Sequence, residues 1–504
     1  MDTNPDEIVQ QIRSTFDTIL AYVARTDESV PSAYQVERHL LTTLLSLGRG
    51  LMLVFFLTQQ SRIRDISTVC VNGQELPLHC KKKRSLRSIF GKVAFERGYY
   101  YREGCGSYFL LDARLQLPEH SLSDLLREWL SRVACYVPYH KSRGLLKDII
   151  AQEVATRAIE KTVLDDSSLV QTFYEQAPPP ARETEAAILV VQADGKGIPM
   201  LPETPQPVRV RLGKGEKAGR KKEAIVTSVY TIAARVRTAE DVVDNLFKQT
   251  QAPVSASKPD RETHTGPQNK WLWATLEGKS TAIEFTAAQV ALRESEHITM
   301  HVALTDGSAA LQEKVRQALP QFSLVLDIIH AVEYLWEAGN SLHGEKSDRR
   351  EPWVKERVLL LLRGQTEAVI SNLRALAAIP SRKKTAKAVL EKVADYYERN
   401  SPYMRYDAYL AHGWPIATGV IEGACRHLVK DRCELSGMHW RVPGAEALLR
   451  LRCVAENQDW DDFHTFRRKC RQQDTYGSSV GEDSTTIEIK AARANTQAAE
   501  KRAA

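Results

Sequence analysis

The sequence predicts an α/β protein with a mixed central sheet, and three observations predict it. Ala186–Ala193 is a near-continuous apolar run that ends at Asp194-Gly195, the pattern of a strand buried on both faces. A second apolar run, His297–Leu304, ends just before another Asp-Gly pair, Asp306-Gly307. Between residues 331 and 411 apolar residues recur at helical spacing with no strand pattern.

Residues 1–65 read as a helical region, because Ile8, Ile12, Phe16 and Ile19, then Leu40, Leu41, Leu44 and Leu45, repeat at helical spacing. The stretch Leu40–Leu57 is interrupted by Arg49 and two glycines, so an amphipathic or buried helix is expected there rather than a membrane span. Residues 66–176 form the next region. It is strand-rich to about residue 110, with Ser88–Phe95 as one strand and Tyr99–Arg102 leading into Gly104-Cys-Gly-Ser, and helical over 119–172. Ala177-Pro-Pro-Pro-Ala-Arg then breaks the periodicity and marks a domain boundary.

After the break come strands at 186–193, at the alternating Val208-Arg-Val-Arg-Leu, and at 224–233. A polar, proline-containing loop covers 249–269. A helix follows from about 281 to 293, then a strand at 297–304, a helix at 308–319 and a strand at 322–326. The order β-β-β-α-β-α-β is that of a ribonuclease-H-like fold, in which three meandering strands precede strands reached through crossover helices. The core is expected over 186–330 and 412–470, interrupted by an all-α insertion at 331–411. Residues 471–504 are polar and poor in aromatics, and are expected to be a disordered tail.

Of the 504 residues, 43% are hydrophobic, enough for a sizeable core, and the net charge of +6 says little about partners. Charge distribution says more. Lys81, Lys82, Lys83, Arg84, Arg87, Lys92, Arg97 and Arg102 face a single acid, Glu96, within one stretch. Such a cluster is either an electrostatic footprint for a polyanion or a solvated basic face. A second basic segment, Lys214, Lys217, Arg220, Lys221 and Lys222, joins two predicted strands and suits phosphate contacts. The start, MDTNPDEIVQQIR, lacks the basic and apolar character of a secretory signal, and the eight scattered cysteines are expected to be reduced.

Asp194 and Asp306 both follow strands, and the carboxyl ends of central strands face the ligand crevice of an open sheet. In the predicted fold the first and fourth strands are neighbours, which brings two like charges together. A hard divalent cation relieves that repulsion through oxygen ligands, and two such ions about 3.5–4 Å apart serve in-line phosphoryl transfer. Glu422, early in a later helix, is the third carboxylate. Singly, each Asp-Gly also reads as a plain turn and the glutamate as a surface residue.

The segments Gln192-Ala-Asp-Gly-Lys-Gly-Ile-Pro-Met, Leu304-Thr-Asp-Gly-Ser-Ala-Ala-Leu, Val325-Leu-Asp-Ile-Ile-His-Ala-Val-Glu-Tyr-Leu-Trp and Thr418-Gly-Val-Ile-Glu-Gly-Ala-Cys-Arg-His-Leu resemble bacterial insertion-sequence DDE transposases of the ISKra group within the Mutator-like class. The resemblance spans about residues 75–465. It implies a catalytic and metal-binding triad of Asp194, Asp306 and Glu422, two Mg²⁺ or Mn²⁺ ions, cleavage of transposon ends, and transfer of 3′-hydroxyl ends into target DNA. It further implies double-stranded DNA as partner, a homodimer or higher oligomer in the synaptic complex, no membrane, and a nucleoid-associated place in the bacterial cytoplasm. The class carries an Asp or Cys three residues before a His, which Asp327 and His330 match as accessory residues. Asp327 also competes for the second catalytic position, for which Asp306 is preferred because the fifth strand is expected further from the first.

Trp440, in Leu435-Ser-Gly-Met-His-Trp-Arg-Val-Pro-Gly, reads either as a base-stacking side chain or as a core tryptophan. Arg426 and Lys430, four and eight residues after Glu422, lie on roughly the same helical face, and either contact phosphates or form a solvated face. Relatives carry paired cysteines near the tyrosine-rich strand. Here Cys70, Cys80 and Cys105 form no two CxxC pairs, so structural zinc is not expected. Two rivals share much of this pattern: a ribonuclease-H-like nuclease that cuts without joining, and a catalytically silent DNA-binding regulator.

Overall fold

The basic stretch after residue 80 folds as a long hairpin in the computed structural model, which describes residues 5–24, 31–202, 221–247, 266–482 and 485–493. Strands β1 (Thr68–Val71), β2 (Gln74–Ser88), β3 (Gly91–Arg102) and β4 (Gly106–Tyr108) pair in sequence, each antiparallel to the last. The β2–β3 turn is closed by Ser88, whose Oγ accepts from Phe90 N at 3.2 Å, and by Gly91 at φ +115°, a conformation that favours glycine. The chain divides into two compact units, Met1–Phe173 with Asp459–Ala504, and Tyr174–Gln458.

In the first unit, alternate residues of β2 and β3 (Leu76, Leu86, Val93, Phe95) are buried against Phe56 and Tyr108. The helix Asp124–Tyr136 starts at Ser123, whose side chain accepts from Leu126 N at 3.3 Å, and buries Leu126, Leu130 and Ala134 at four-residue spacing. The helix Ala33–Ser61 is long and apolar enough to cross a membrane, and 6% of its most apolar window is buried. It is therefore not the buried helix that the sequence allowed: Leu41, Leu44, Leu51 and Phe55 are exposed.

The second unit holds β5 (Ile188–Pro199), β6 (Lys221–Ile232), β7 (Gln268–Thr275), β8 (Met300–Thr305) and β9 (Ser323–Leu326), in the order β7-β6-β5-β8-β9. β6 runs antiparallel to β5 and β7 to β6, whereas β8 and β9 run parallel to β5. Helices Lys279–Arg293 and Ala309–Ala318 make the crossovers. The architecture is mixed α/β, as expected, with two differences from the reading of the meander. The strand expected at 208–212 lies outside the described residues. The third strand is β7, which begins in the polar stretch read as loop. Its first three residues, Gln268, Asn269 and Lys270, are polar, and only from Trp271 onward are its residues fully buried. The edge of β7 is satisfied by Asn457, whose Oδ1 accepts from Leu272 N at 2.8 Å and whose Nδ2 donates to Leu272 O at 3.0 Å.

After β9 the chain is helical: Ile328–His343, Arg350–Leu362, Thr366–Ala378, Lys384–Asn400 and Tyr406–Ala411. These helices share one apolar core with the sheet, in which Val190, Leu304 and Val325 meet Leu335, Leu390 and Tyr397. The helix Gly419–Ala424 then returns the chain to the sheet.

The C-terminal segment departs from its expected disorder. The helix Trp460–Arg471, expected in the sheet-bearing core, belongs to the first unit, where Arg467 reaches Asp124 at 3.0 Å and Asp166 at 3.2 Å. Strands β10 (Ser478–Glu482) and β11 (Thr486–Lys490) extend the first sheet, β11 lying parallel to β1. The low aromatic content concealed this, since a few residues suffice to anchor the segment: Tyr476, Ile487 and Ile489 are buried, and Tyr476 Oη donates to Leu117 O at 2.6 Å.

Candidate metal-binding site at the strand ends

Strand register sets the site. Ala193 pairs with Thr305, and Thr305 with Leu326, across the parallel strands β5, β8 and β9. The next residue in each chain segment is an aspartate: Asp306 and Asp327 lie just past β8 and β9, whereas Asp194, expected to follow its strand, lies within β5, which runs on to Pro199 in antiparallel pairing with β6. Adjacent strands lie about 4.8 Å apart, so the three stand in a row where the parallel pairing of β5, β8 and β9 ends. Asp306 is the middle member.

Each carboxylate is held differently. Asp194 Oδ1 accepts from Gly195 N at 2.7 Å and its Oδ2 from the Cys425 thiol at 3.3 Å. Asp306 Oδ1 accepts from Ser308 N at 2.9 Å, in a turn where Gly307 has φ +86°. A Cβ on Gly307 would come within 2.5 Å of Tyr396 Oη, so only glycine fits. Helix Lys384–Asn400 buttresses that turn: Tyr396 Oη donates to Asp306 O at 2.9 Å and Arg399 Nη2 to Gly307 O at 3.2 Å.

Asp327 is fully buried and accepts five hydrogen bonds. Oδ1 takes Ile329 N and Thr418 N, each at 3.1 Å. Oδ2 takes His330 N at 3.3 Å, His330 Nδ1 at 2.7 Å and Thr418 Oγ1 at 2.7 Å. It thus caps helix Ile328–His343, orients His330, and ties down the residue that opens the Glu422 helix. Gln192, buried in β5, does the same from the other side: its Oε1 accepts from Ile421 N at 2.9 Å and its Nε2 donates to Ala417 O at 3.3 Å.

Ligand atoms of Asp327, His330 and Glu422 lie within 4.8 Å of one another, a group able to hold a metal ion. Of the three, Asp327 has its lone-pair sites filled by protein donors, so an ion there would have to displace them. Glu422 is exposed and carries a carboxyl held above its usual range, by partial burial first and then by the charges of Asp327, Glu333 and Asp194, against the opposing pull of His330. His330 is raised to about 9, chiefly by its hydrogen bond to Asp327, against burial. Burial pushes the Cys425 thiol up, as do the charge of Asp194 and the bond to it.

The remaining predicted residues fall into three groups. Lys81, Lys82 and Lys83 are exposed on β2, with Lys82 Nζ 3.2 Å from the Tyr99 ring centre. Arg84 turns inward to the buried Asp112, which Arg97 also meets, and Arg87 donates to Glu153 O at 2.7 Å. Lys221 pairs with Glu434, Lys222 is exposed, and Lys214, Lys217 and Arg220 lie outside the described residues.

Two expectations are corrected. Trp440 is a core side chain, 8% exposed; its Nε1 donates to Cys433 O at 3.1 Å and its backbone bridges Pro199 and Leu201, so it cannot stack on a base. Arg426 and Lys430 do not share a regular face with Glu422, because Cys425–Lys430 is π-helical, with a wider turn. Arg426 approaches Asp431 at 3.6 Å instead. The sequence reading also missed Gln192, Thr418 and Cys425. Gln192 did leave a signal, as a polar residue inside an apolar strand.

Fold and site together define a mixed α/β protein with an acidic cluster where the parallel pairing of its central strands ends. Residues 71–242 match the uncharacterised protein family UPF0236. No curated protein matches the chain. Among solved structures, a Drosophila P element transposase strand transfer complex is similar at 9% identity and a TM-score of 0.25, over 70% of this chain and 82% of that one. The functional reading rests on the site itself.

Proposed function

We propose that this chain is a DDE-type DNA transposase of the ISKra group, cutting transposon ends and joining 3′-hydroxyl ends to target DNA. The observation that carries the reading is the aspartate row on β5, β8 and β9, with Glu422 brought to it by a helix pinned through Gln192 and Asp327. The strand order β7-β6-β5-β8-β9, with three antiparallel and two parallel members, is that of a ribonuclease-H-like sheet, and the helices of 331–411 are its insertion.

The donor set fits divalent cations. Asp306 keeps an oxygen outside the backbone turn that fixes it, Asp194 Oδ2 is held only by the weak Cys425 thiol donor at 3.3 Å, and Glu422 sits among like charges that a cation would relieve. We assign Asp194, Asp306 and Glu422 to hold Mg²⁺ or Mn²⁺. The bound ions would supply activation of the attacking water or hydroxyl and stabilisation of the leaving oxygen. Asp327 is a positioning residue: four of its five hydrogen bonds fix His330 and Thr418. With Nδ1 committed to Asp327, His330 has Nε2 left to meet a phosphate oxygen. The helix carrying Tyr396 and Arg399 holds the Asp306 turn, so the insertion stabilises the geometry on which phosphoryl transfer depends.

The test uses the purified chain, Mn²⁺, and DNA bearing the sequences that flank its gene. Cleavage at those ends, and joining of pre-cleaved 3′-hydroxyl ends to a plasmid, are expected. D194A, D306A and E422A each lose both activities and keep end binding. Cleavage that survives in all three variants would sink the reading, and cleavage without joining would reduce the chain to a nuclease.

A further inference from the structure

Two helices of the first unit leave an apolar face uncovered. The helices Pro5–Val23 and Ala33–Ser61 pair antiparallel: Tyr22 and His39 meet at 4.2 Å between ring centres, and Gly50 sits against Ile12. Ile8 and Ile19 are buried, and Phe56 anchors the second helix on the sheet by stacking on Phe95 at 4.2 Å. The outer side stays bare. Leu41, Leu44, Leu51 and Phe55 are 45–53% exposed, at the three-and-four spacing of a coiled-coil seam. Gly48 occupies the position between them, with Phe90 packed on it. On the first helix Phe16, Leu20 and Val23, four and three apart, are 48–53% exposed. Counting about 100° per residue from the contact points Ile12 and Gly50, Phe16 and Leu20 turn the same way as Leu44, Leu51 and Phe55. In an antiparallel pair that is the same side, so the two sets form one face.

Size and charge select the occupant. Half-exposed side chains of these kinds present roughly 100 Å² each, so the face offers roughly 700 Å². Each partner in a standard interface brings about 800 Å², whereas the largest apolar patch on a typical monomer is about 300–600 Å². A lipid surface fits poorly. The two helices carry the acids Asp6, Glu7, Asp17 and Glu37 against Arg13, Arg38 and Arg49, so no basic excess draws them to anionic headgroups, and Arg49 stands exposed at mid-helix. A second copy fits, because the seam is self-complementary. Paired antiparallel, Leu41 meets Phe55 and Leu44 meets Leu51 of the other copy, and both contacts repeat about the two-fold axis. Glu37 then faces the end that carries Arg62, whereas parallel pairing would set Glu37 against Glu37.

We infer that this face joins two copies of the chain, their helical hairpins completing an antiparallel four-helix bundle. The inference does not depend on the metal-binding reading.

The test is the mass of the full chain by light scattering at micromolar concentration, with L44E/L51E beside it. Both leucines are half exposed, so the variant should fold, which its far-UV spectrum checks. Expected are twice the chain mass for wild type and the single mass for L44E/L51E. L145E/I149E, which alters exposed apolar residues of another helix, should keep the doubled mass. In a further variant, L41C/F55C, an added oxidant should give a disulfide-linked peptide pair joining position 41 of one copy to position 55 of the other. A wild-type monomer, an unchanged mass in L44E/L51E, or failure of that cross-link overturns the inference. A monomer that sediments with phosphatidylserine vesicles overturns it in favour of a lipid surface.

Discussion

Glu422 and Asp327 are both acids of the site, but their surroundings give them opposite duties. Glu422 is held in its protonated form more than an ordinary glutamate, so its ionisation works against the metal-free fold. E422Q should therefore melt no lower than wild type without metal at neutral pH, and should lose the rise in Tm that Mn²⁺ gives the wild type. A thermal shift series with and without Mn²⁺ reads both effects. Asp327 is a buried hub, and D327N leaves His330 and Thr418 without an anionic acceptor. The expected cost is about 1–3 kcal/mol in denaturant unfolding. The pH dependence has a definite sign. His330 is raised to about 9 in the metal-free protein, against about 6.5 unfolded. Its bond to Asp327 thus contributes stability that is complete below pH about 6.5 and disappears as pH rises through about 9. In D327N the His330 ring resonances should titrate nearer 6.5; a midpoint that stays near 9 would refute the assignment.

At the scale of elements, the Asp306 turn and the C-terminal hairpin each make a checkable claim. G307A must accept a positive φ and a clash with Tyr396. It should destabilise the second unit by more than the roughly 0.5–1 kcal/mol usual for glycine exchanges, with cleavage falling further than DNA binding. Truncation after Arg471 removes β10, β11 and Tyr476 from the first unit. Burial of Ile487 and Ile489 contributes about 1.5–3 kcal/mol each. Tyr108 Oη also loses its 2.7 Å bond to Tyr476 O. The truncated chain should show an early melting transition, whereas a disordered tail would leave the melting curve unchanged.

For the whole molecule, the decisive test of the proposed function is whether cutting and joining of DNA depend on a divalent metal. On the proposed function, chelation should abolish both while leaving end binding in place, because we assign binding to exposed lysines such as Lys81–Lys83 and catalysis to the acidic row. Much of this was legible in the chain alone. The apolar run before Asp194, the Asp-Gly pairs and the helical grammar of 331–411 are local patterns, and local patterns survive in a one-dimensional reading. So the sequence by itself determined the mixed α/β class and nominated the aspartates and Glu422. Only the tertiary structure decided that β7 closes the meander, that Trp440 is core, that β11 pairs with β1, and that Asp327 stands in register with Asp194 and Asp306 yet spends its oxygens on Thr418 and His330. Those outcomes depend on hydrogen-bond partners far away in the chain, and no spacing along a sequence encodes which distant donor fills a given lone pair.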